Sequence, residues 1–211
     1  MNPPLLLMLL LSSSMGRAET HPKPSAAPFE IVSAPGASLK IDGDSTVRKF
    51  SATGKPVTVR GKASLNPETT KSSAAKAPWI PIEVEFTLPV TSLSSGERTL
   101  DKHMYESLKA EQFPVIHMKL SHFEVPASEA GKPLHVKATG ELTVAGVTRP
   151  LELEPSVTID QSKVTIHGKK RVLMTDFGIT PPVLMMGTLK TRNEIDVSYD
   201  VELSPQTANG A

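Results

Sequence analysis

Apolar and polar residues alternate along much of this chain. Leu134, Val136, Ala138, Gly140, Leu142 and Val144 interleave with His135, Lys137, Thr139, Glu141 and Thr143. A period of two puts the first set on one face of a strand and the second on the other. Ala145-Gly146 interrupts the pattern at a tight turn, where glycine supplies the backbone freedom. It resumes with Leu151 and Leu153 against Glu152 and Glu154. Pro150, which has no N–H to donate, fits the start or edge of that second strand. The stretch predicts an antiparallel hairpin, dry on one face and wet on the other. Similar patterns predict strands through Val57–Ala63, Ile116–Leu120 and Ile195–Leu203. The longest is Ile80, Ile82, Val84, Phe86, Leu88 and Val90 against Pro81, Glu83, Glu85, Thr87 and Pro89. Leu39–Asp42 and Val47–Phe50 flank Gly43–Thr46 as a strand pair, Val157/Ile159 and Val164/Ile166 flank a turn at Asp160–Lys163, and Arg171–Thr175 begins one more strand.

The period changes once. Between Glu97 and Gln112, Leu100, Met104 and Leu108 recur every four residues, with Tyr105 beside them and Lys102 and Glu106 placed for an ion pair. This predicts one amphipathic helix, stopped by Phe113-Pro114. Asn66–Pro78 and Pro126–Pro133 read as loops, and Phe177–Lys190 as irregular. Roughly eight strands with no helix between successive ones disfavour a parallel α/β sheet. The expected class is all-β: an eight-stranded antiparallel barrel with one inserted amphipathic helix. Such a barrel is just wide enough inside to be filled by side chains or to hold one slender ligand.

Composition narrows the classes further. Lys+Arg is 23 and Asp+Glu is 22, so no basic field points to nucleic acid. Cysteine is absent, which excludes disulfides, thiolate metal sites, a thiol nucleophile and a lipid anchor on cysteine. Residues 1–18 read as a secretory signal: Leu5–Leu11 is an unbroken apolar core, and Gly16-Arg17-Ala18 suits cleavage after Ala18. That core is far short of the about 20 residues that span a bilayer, so no stable membrane insertion is expected after cleavage. A periplasmic or secreted location follows. Residues 19–37, with Pro22, Pro24, Pro28 and Pro35, read as a flexible leader, 38–204 as the barrel domain and 205–211 as a disordered tail.

Catalytic constellations are missing. Gly43-Asp44-Ser45 resembles the start of a serine-hydrolase motif, but no Asp has His three positions later to complete it, and Ser45 reads as a turn residue. Asp176-Phe177-Gly178 matches the kinase metal-binding triplet without its Gly-rich loop or H-R-D partner. The histidines show no H-x-H or i,i+4 pairing; His117 and His122 fall on opposite faces of a regular strand. No enzyme activity and no metal are expected. Met174, Met185 and Met186 suit an adaptable apolar lid, although gap-filling in the core is the simpler reading.

Four segments carry a family resemblance: Asp101-x-His103-Met104, Phe113-Pro114-x-Ile116, the run Gly140-x-Leu142-Thr143-Val144-x-Gly146-Val147-Thr148-Arg149-Pro150, and Asp176-Phe177-Gly178-Ile179. In order and spacing, from about Leu39 to Leu203, the chain resembles the YceI-like family. These are exported bacterial proteins with a lipocalin-like barrel. Two departures mark a divergent member: Leu100 stands where many members carry Arg before D-x-H, and Gly-Asp-Ser-Thr replaces a histidine-containing first strand. The resemblance implies a carrier that holds a polyisoprenoid chain, such as a quinone tail or a prenyl lipid, along the barrel axis, with no other cofactor. It implies that Val84, Phe86, Leu88, Met118, Leu142, Val144, Leu153, Met174, Phe177, Val197, Tyr199 and Val201 line the tunnel, with His103 as a polar contact to the headgroup. Since the family includes dimers, a homodimer is the alternative to a monomer. The competing reading is a structural or interaction barrel whose core is closed by its own side chains.

Overall fold

The computed structural model describes residues 27–66, 79–126, 133–160 and 163–206. The predicted signal, most of the Asn66–Pro78 and Pro126–Pro133 loops, the tip of the Asp160–Lys163 turn and the last five residues lie outside them. The strands are β1 (Phe29–Ser33), β2 (Ser38–Ser45), β3 (Phe50–Gly54), β4 (Thr58–Leu65), β5 (Trp79–Pro89), β6 (Leu93–Ser94), β7 (Val115–Glu124), β8 (Leu134–His135), β9 (Lys137–Val144), β10 (Val147–Leu153), β11 (Ser156–Asp160), β12 (Lys163–Leu173), β13 (Val183–Leu184) and β14 (Leu189–Pro205). The single α-helix among the described residues, α1 (Arg98–Ser107), lies between β6 and β7.

The main path of the 14-stranded sheet runs β10-β9-β7-β5-β4-β1-β14-β12-β11-β8, and every pairing is antiparallel. The hairpin β2–β3 pairs with the first part of β14, and β1 with its last part. Hydrogen bonds do not join the two ends of that path, so the expected count of eight gives way to more and shorter strands. Covalent continuity brings the ends together. β8 leads into β9 through Val136, and the register of Leu153 with Ala138 continues unchanged to Ser156 with His135 and Val157 with Leu134. The break sits at Pro155, whose carbonyl accepts the Val136 N–H at 3.2 Å.

Two bulges correct the simple alternation. Lys62 faces Glu83 but Ala63 faces Pro81, so Ile82 is an extra residue in β5 and its partners exchange faces. Trp79 is therefore buried and Ile82 is 39% exposed, against the expectation that Ile80 and Ile82 point inward. In β7, Ser121 is extra between Leu120, which faces Gly140, and His122, which faces Thr139. His117 and His122 consequently share the outer face, while Phe123 packs against the core.

Part of the segment expected as leader is a strand, while residues 19–26 lie outside the described residues. Phe29–Ser33 is a strand wedged between β4 and β14, with Ile31 fully buried. Proline density hid it, because an isolated five-residue strand carries little alternation. Its pairing also takes in the first two residues of the expected tail: Ile31 faces Pro205, and the Gln206 N–H donates to the Glu30 carbonyl at 2.9 Å.

Candidate ligand cavity

Inward-facing positions surround one elongated cavity of about 680 Å³. Its two ends are marked by opposite ends of β5, with Trp79 at one and Leu88 at the other. Around Trp79 the wall is Pro81, Phe123, Val125, Leu134 and Val136. The positions expected to line a tunnel border this cavity: Val84, Phe86, Leu88, Met118, Leu142, Val144, Leu153, Met174, Phe177, Val197, Tyr199 and Val201, with His103 from α1.

Helix α1 lies across the other end. Before the helix, Glu97 forms a bidentate pair with Arg48 of the β2–β3 turn, Arg48 Nη1 donating to Glu97 Oε1 at 2.8 Å. That hydrogen-bonded contact holds the Glu97 carboxyl below its ordinary range. Beyond the helix, Phe113 packs on Gly146 at the β9–β10 turn, so closely that a Cβ there would lie 2.4 Å from its ring. Gly146 has φ +80°, where an L side chain is strained, so the backbone calls for glycine and a Cβ would also have to displace the Phe113 ring. Leu100, Met104 and Leu108 face the cavity, as their spacing predicts, and Lys102 pairs with Glu106 outside at 3.8 Å.

The motif residues have local roles. Burial pushes the Asp101 carboxyl up, but donations from the Ser95 N–H (2.7 Å), Ser95 Oγ (2.6 Å) and Ser94 Oγ (3.0 Å) outweigh it and hold the group below the usual carboxylate range. Asp101 thereby fixes the loop that delivers α1. His103 contacts Glu106 at 3.4 Å and borders the cavity. Asp176-Phe177-Gly178-Ile179 forms a 3-10 turn closed by Gly178 at φ 66°; Phe177 and Ile179 are buried with Ala145, and the Asp176 carbonyl accepts Arg149 Nε at 2.7 Å. This bond connects β10, whose second edge has no strand partner among the described residues, to the segment after β12. Ser45 is a turn residue: its Oγ donates to the Arg48 carbonyl at 2.7 Å and accepts the Arg48 N–H at 3.1 Å. Of the three methionines, Met174 lines the cavity and Met186 is fully exposed, so Met186 is no part of an apolar lid. Among the described residues no three His, Asp or Glu side chains cluster as a metal site would require.

Lining residues also escaped sequence reading, among them Trp79, Arg48, Glu97 and Lys170. Trp79 was hidden by the bulge; its indole Nε1 is buried without a hydrogen-bond partner. Arg48 and Glu97 meet only through tertiary structure. Lys170 lies within Lys169-Lys170-Arg171, which reads as solvated, yet it keeps phase with the inward residues Val164, Ile166 and Val172. Tyr199 lies across Gly168: a Cβ there would fall 2.2 Å from its hydroxyl. Burial pushes its phenol pKa up to about 12.

The solved structures similar to this chain share its fold at low identity. The Burkholderia cenocepacia BcnA structure matches with a TM-score of 0.60 and 14% identity, covering 79% of this chain and 95% of that one. A polyisoprenoid binding domain from Saccharophagus degradans, implicated in plant cell wall breakdown, gives 0.57 and 10%, covering 85% and 99%. The Campylobacter jejuni YCEI protein gives 0.54 and 16%, covering 74% and 84%. No curated protein sequence matches significantly. The YceI-like domain model matches residues 26–203, from just before β1 to near the end of β14, and this chain belongs to that family.

Proposed function

We propose that this protein is an exported, non-enzymatic carrier that encloses the chain of a polyisoprenoid-type amphiphile, a quinone or a prenyl lipid, in a lipocalin-like barrel. The observation that carries the reading is the cavity: about 680 Å³, walled mostly by aliphatic and aromatic side chains. That volume is within the usual range for small-molecule sites, which are concave and mostly apolar. A closed structural core would interdigitate there, since protein interiors leave few voids larger than a water molecule. Each methylene moved from water into such a site contributes about 0.8 kcal/mol, so a long chain is retained without any polar anchor. The binding domain named for the Saccharophagus degradans structure supports the ligand class, and the apolar run Leu5–Leu11 supports export to the periplasm or medium.

The single tryptophan gives a direct assay, because Trp79 lines the end of the cavity far from α1. Titrating delipidated protein with geranylgeraniol should change Trp79 emission saturably, at one ligand per chain. An emission spectrum that stays constant while native mass spectrometry also finds no complex contradicts the carrier reading.

A further inference from the structure

Among the described residues, the ionisable groups lining the cavity are Arg48, Glu97, His103, Lys170 and Tyr199. Arg48 and Glu97 neutralise each other, and His103 contacts Glu106. Lys170 has no such partner: its neighbour Arg171 pairs outside with Asp196 at 2.7 Å, whereas Lys170 makes no ion pair with any described residue. It is a partly buried cation on the inner wall with no counter-charge among the described residues. Beside it stands a second donor. The Tyr199 hydroxyl lies over Gly168, makes no hydrogen bond with a described residue, and remains a neutral O–H because burial disfavours its phenolate. Gly168 and Lys170 are alternate residues on one face of β12, roughly 6.6 Å apart along the strand, within reach of a lysine stem.

We propose that Lys170 and the Tyr199 hydroxyl recognise an anionic headgroup, a carboxylate or a phosphate, on the amphiphile that fills the cavity. The inference rests on the carrier reading and adds the headgroup. An anion there would supply the counter-charge that the wall lacks and accept from both donors, while its chain extends toward Trp79. A neutral head, an alcohol or an unreduced quinone, would leave Lys170 unpaired.

Isothermal titration with matched probes tests this: oleate against oleyl alcohol, and farnesyl phosphate against farnesol. The expected result is that the acid binds at least roughly tenfold more tightly in one or both pairs, as charge-assisted hydrogen bonds in a partly buried site imply. K170M and K170Q should each lose that preference, with circular dichroism and an unfolding midpoint showing that both are folded. K170R should keep it, and Y199F should lose part of it. Equal binding of acid and alcohol by wild type, or an undiminished preference in K170M and K170Q, overturns the headgroup assignment and leaves the carrier intact. Failure of wild type to bind any of the four probes overturns both.

Discussion

Single residues show where the chain spends its tolerance. Gly140 of β9 lies against β7 just where that strand bulges; a Cβ would fall 2.0 Å from the Lys119 carbonyl oxygen and 2.7 Å from Leu120 Cα. Backbone cannot retreat as a flexible side chain can, so Gly140→Ala should cost about 2 kcal/mol or more in chemical denaturation, at the high end for a one-carbon change. Alternation placed Gly140 on the inner face but gave no hint of that contact, which depends on a neighbour twenty residues earlier in sequence. Tyr199 makes a prediction in pH. Its folded pKa of about 12 lies above the ordinary 10.0, so the unfolded chain releases this proton first. The stability it contributes is complete below pH 10.0 and is lost as pH climbs toward about 12. Ultraviolet titration should show both phenols ionising late, since burial raises Tyr105 as well, and Tyr199→Phe should flatten part of the alkaline decline in stability.

At the scale of elements, strand phase was legible wherever strands were regular. The helix was legible from Leu100, Met104 and Leu108, because the positions midway between them, Lys102 and Glu106, are charged, which breaks the two-residue period of a strand. The failures came at Ile82 and Ser121, where one extra residue reverses every subsequent side chain. A bulge has no composition signal, and Trp79 went unnoticed as a lining residue for that reason. β1 was missed because its partners, β4 and β14, decide its conformation more than its own five residues do. At α1, the Asp101 carboxylate holds the Ser94–Ser95 loop that leads into the helix. Asp101→Ala removes these bonds at a cost of about 1 kcal/mol, comparable to losing a helix cap. Stopped-flow transfer of bound prenyl alcohol to vesicles should then be several-fold faster, with strand content by circular dichroism unchanged. Equal transfer rates would mean that ligand leaves without moving α1.

For the molecule as a whole, neutrality, absence of cysteine and one-sided strands led to a barrel whose product is an interior. Those same features could not distinguish a filled core from an open one. The decision lies in how side-chain volumes sum across strands distant in sequence. Filling that interior should abolish binding without harming the fold. Val197→Phe, on the inner face of β14, should weaken prenyl alcohol binding at least about tenfold, and as a cavity-filling change it should keep or raise thermal stability. Wild-type protein, in contrast, should gain about 2.7 kcal/mol at a ligand concentration a hundred times its Kd, seen as a higher unfolding midpoint.

The most direct test is to isolate the protein after export from a bacterial host, measure its native mass and identify by organic extraction whatever is released. The account predicts a mass excess of one long-chain lipid per chain, an isoprenoid or another single-chain amphiphile, recovered in stoichiometric amount, with the native mass also showing whether copies pair. A bare chain mass, from protein that also refuses added prenyl lipids, would mean that the cavity is not a binding site and would contradict the account.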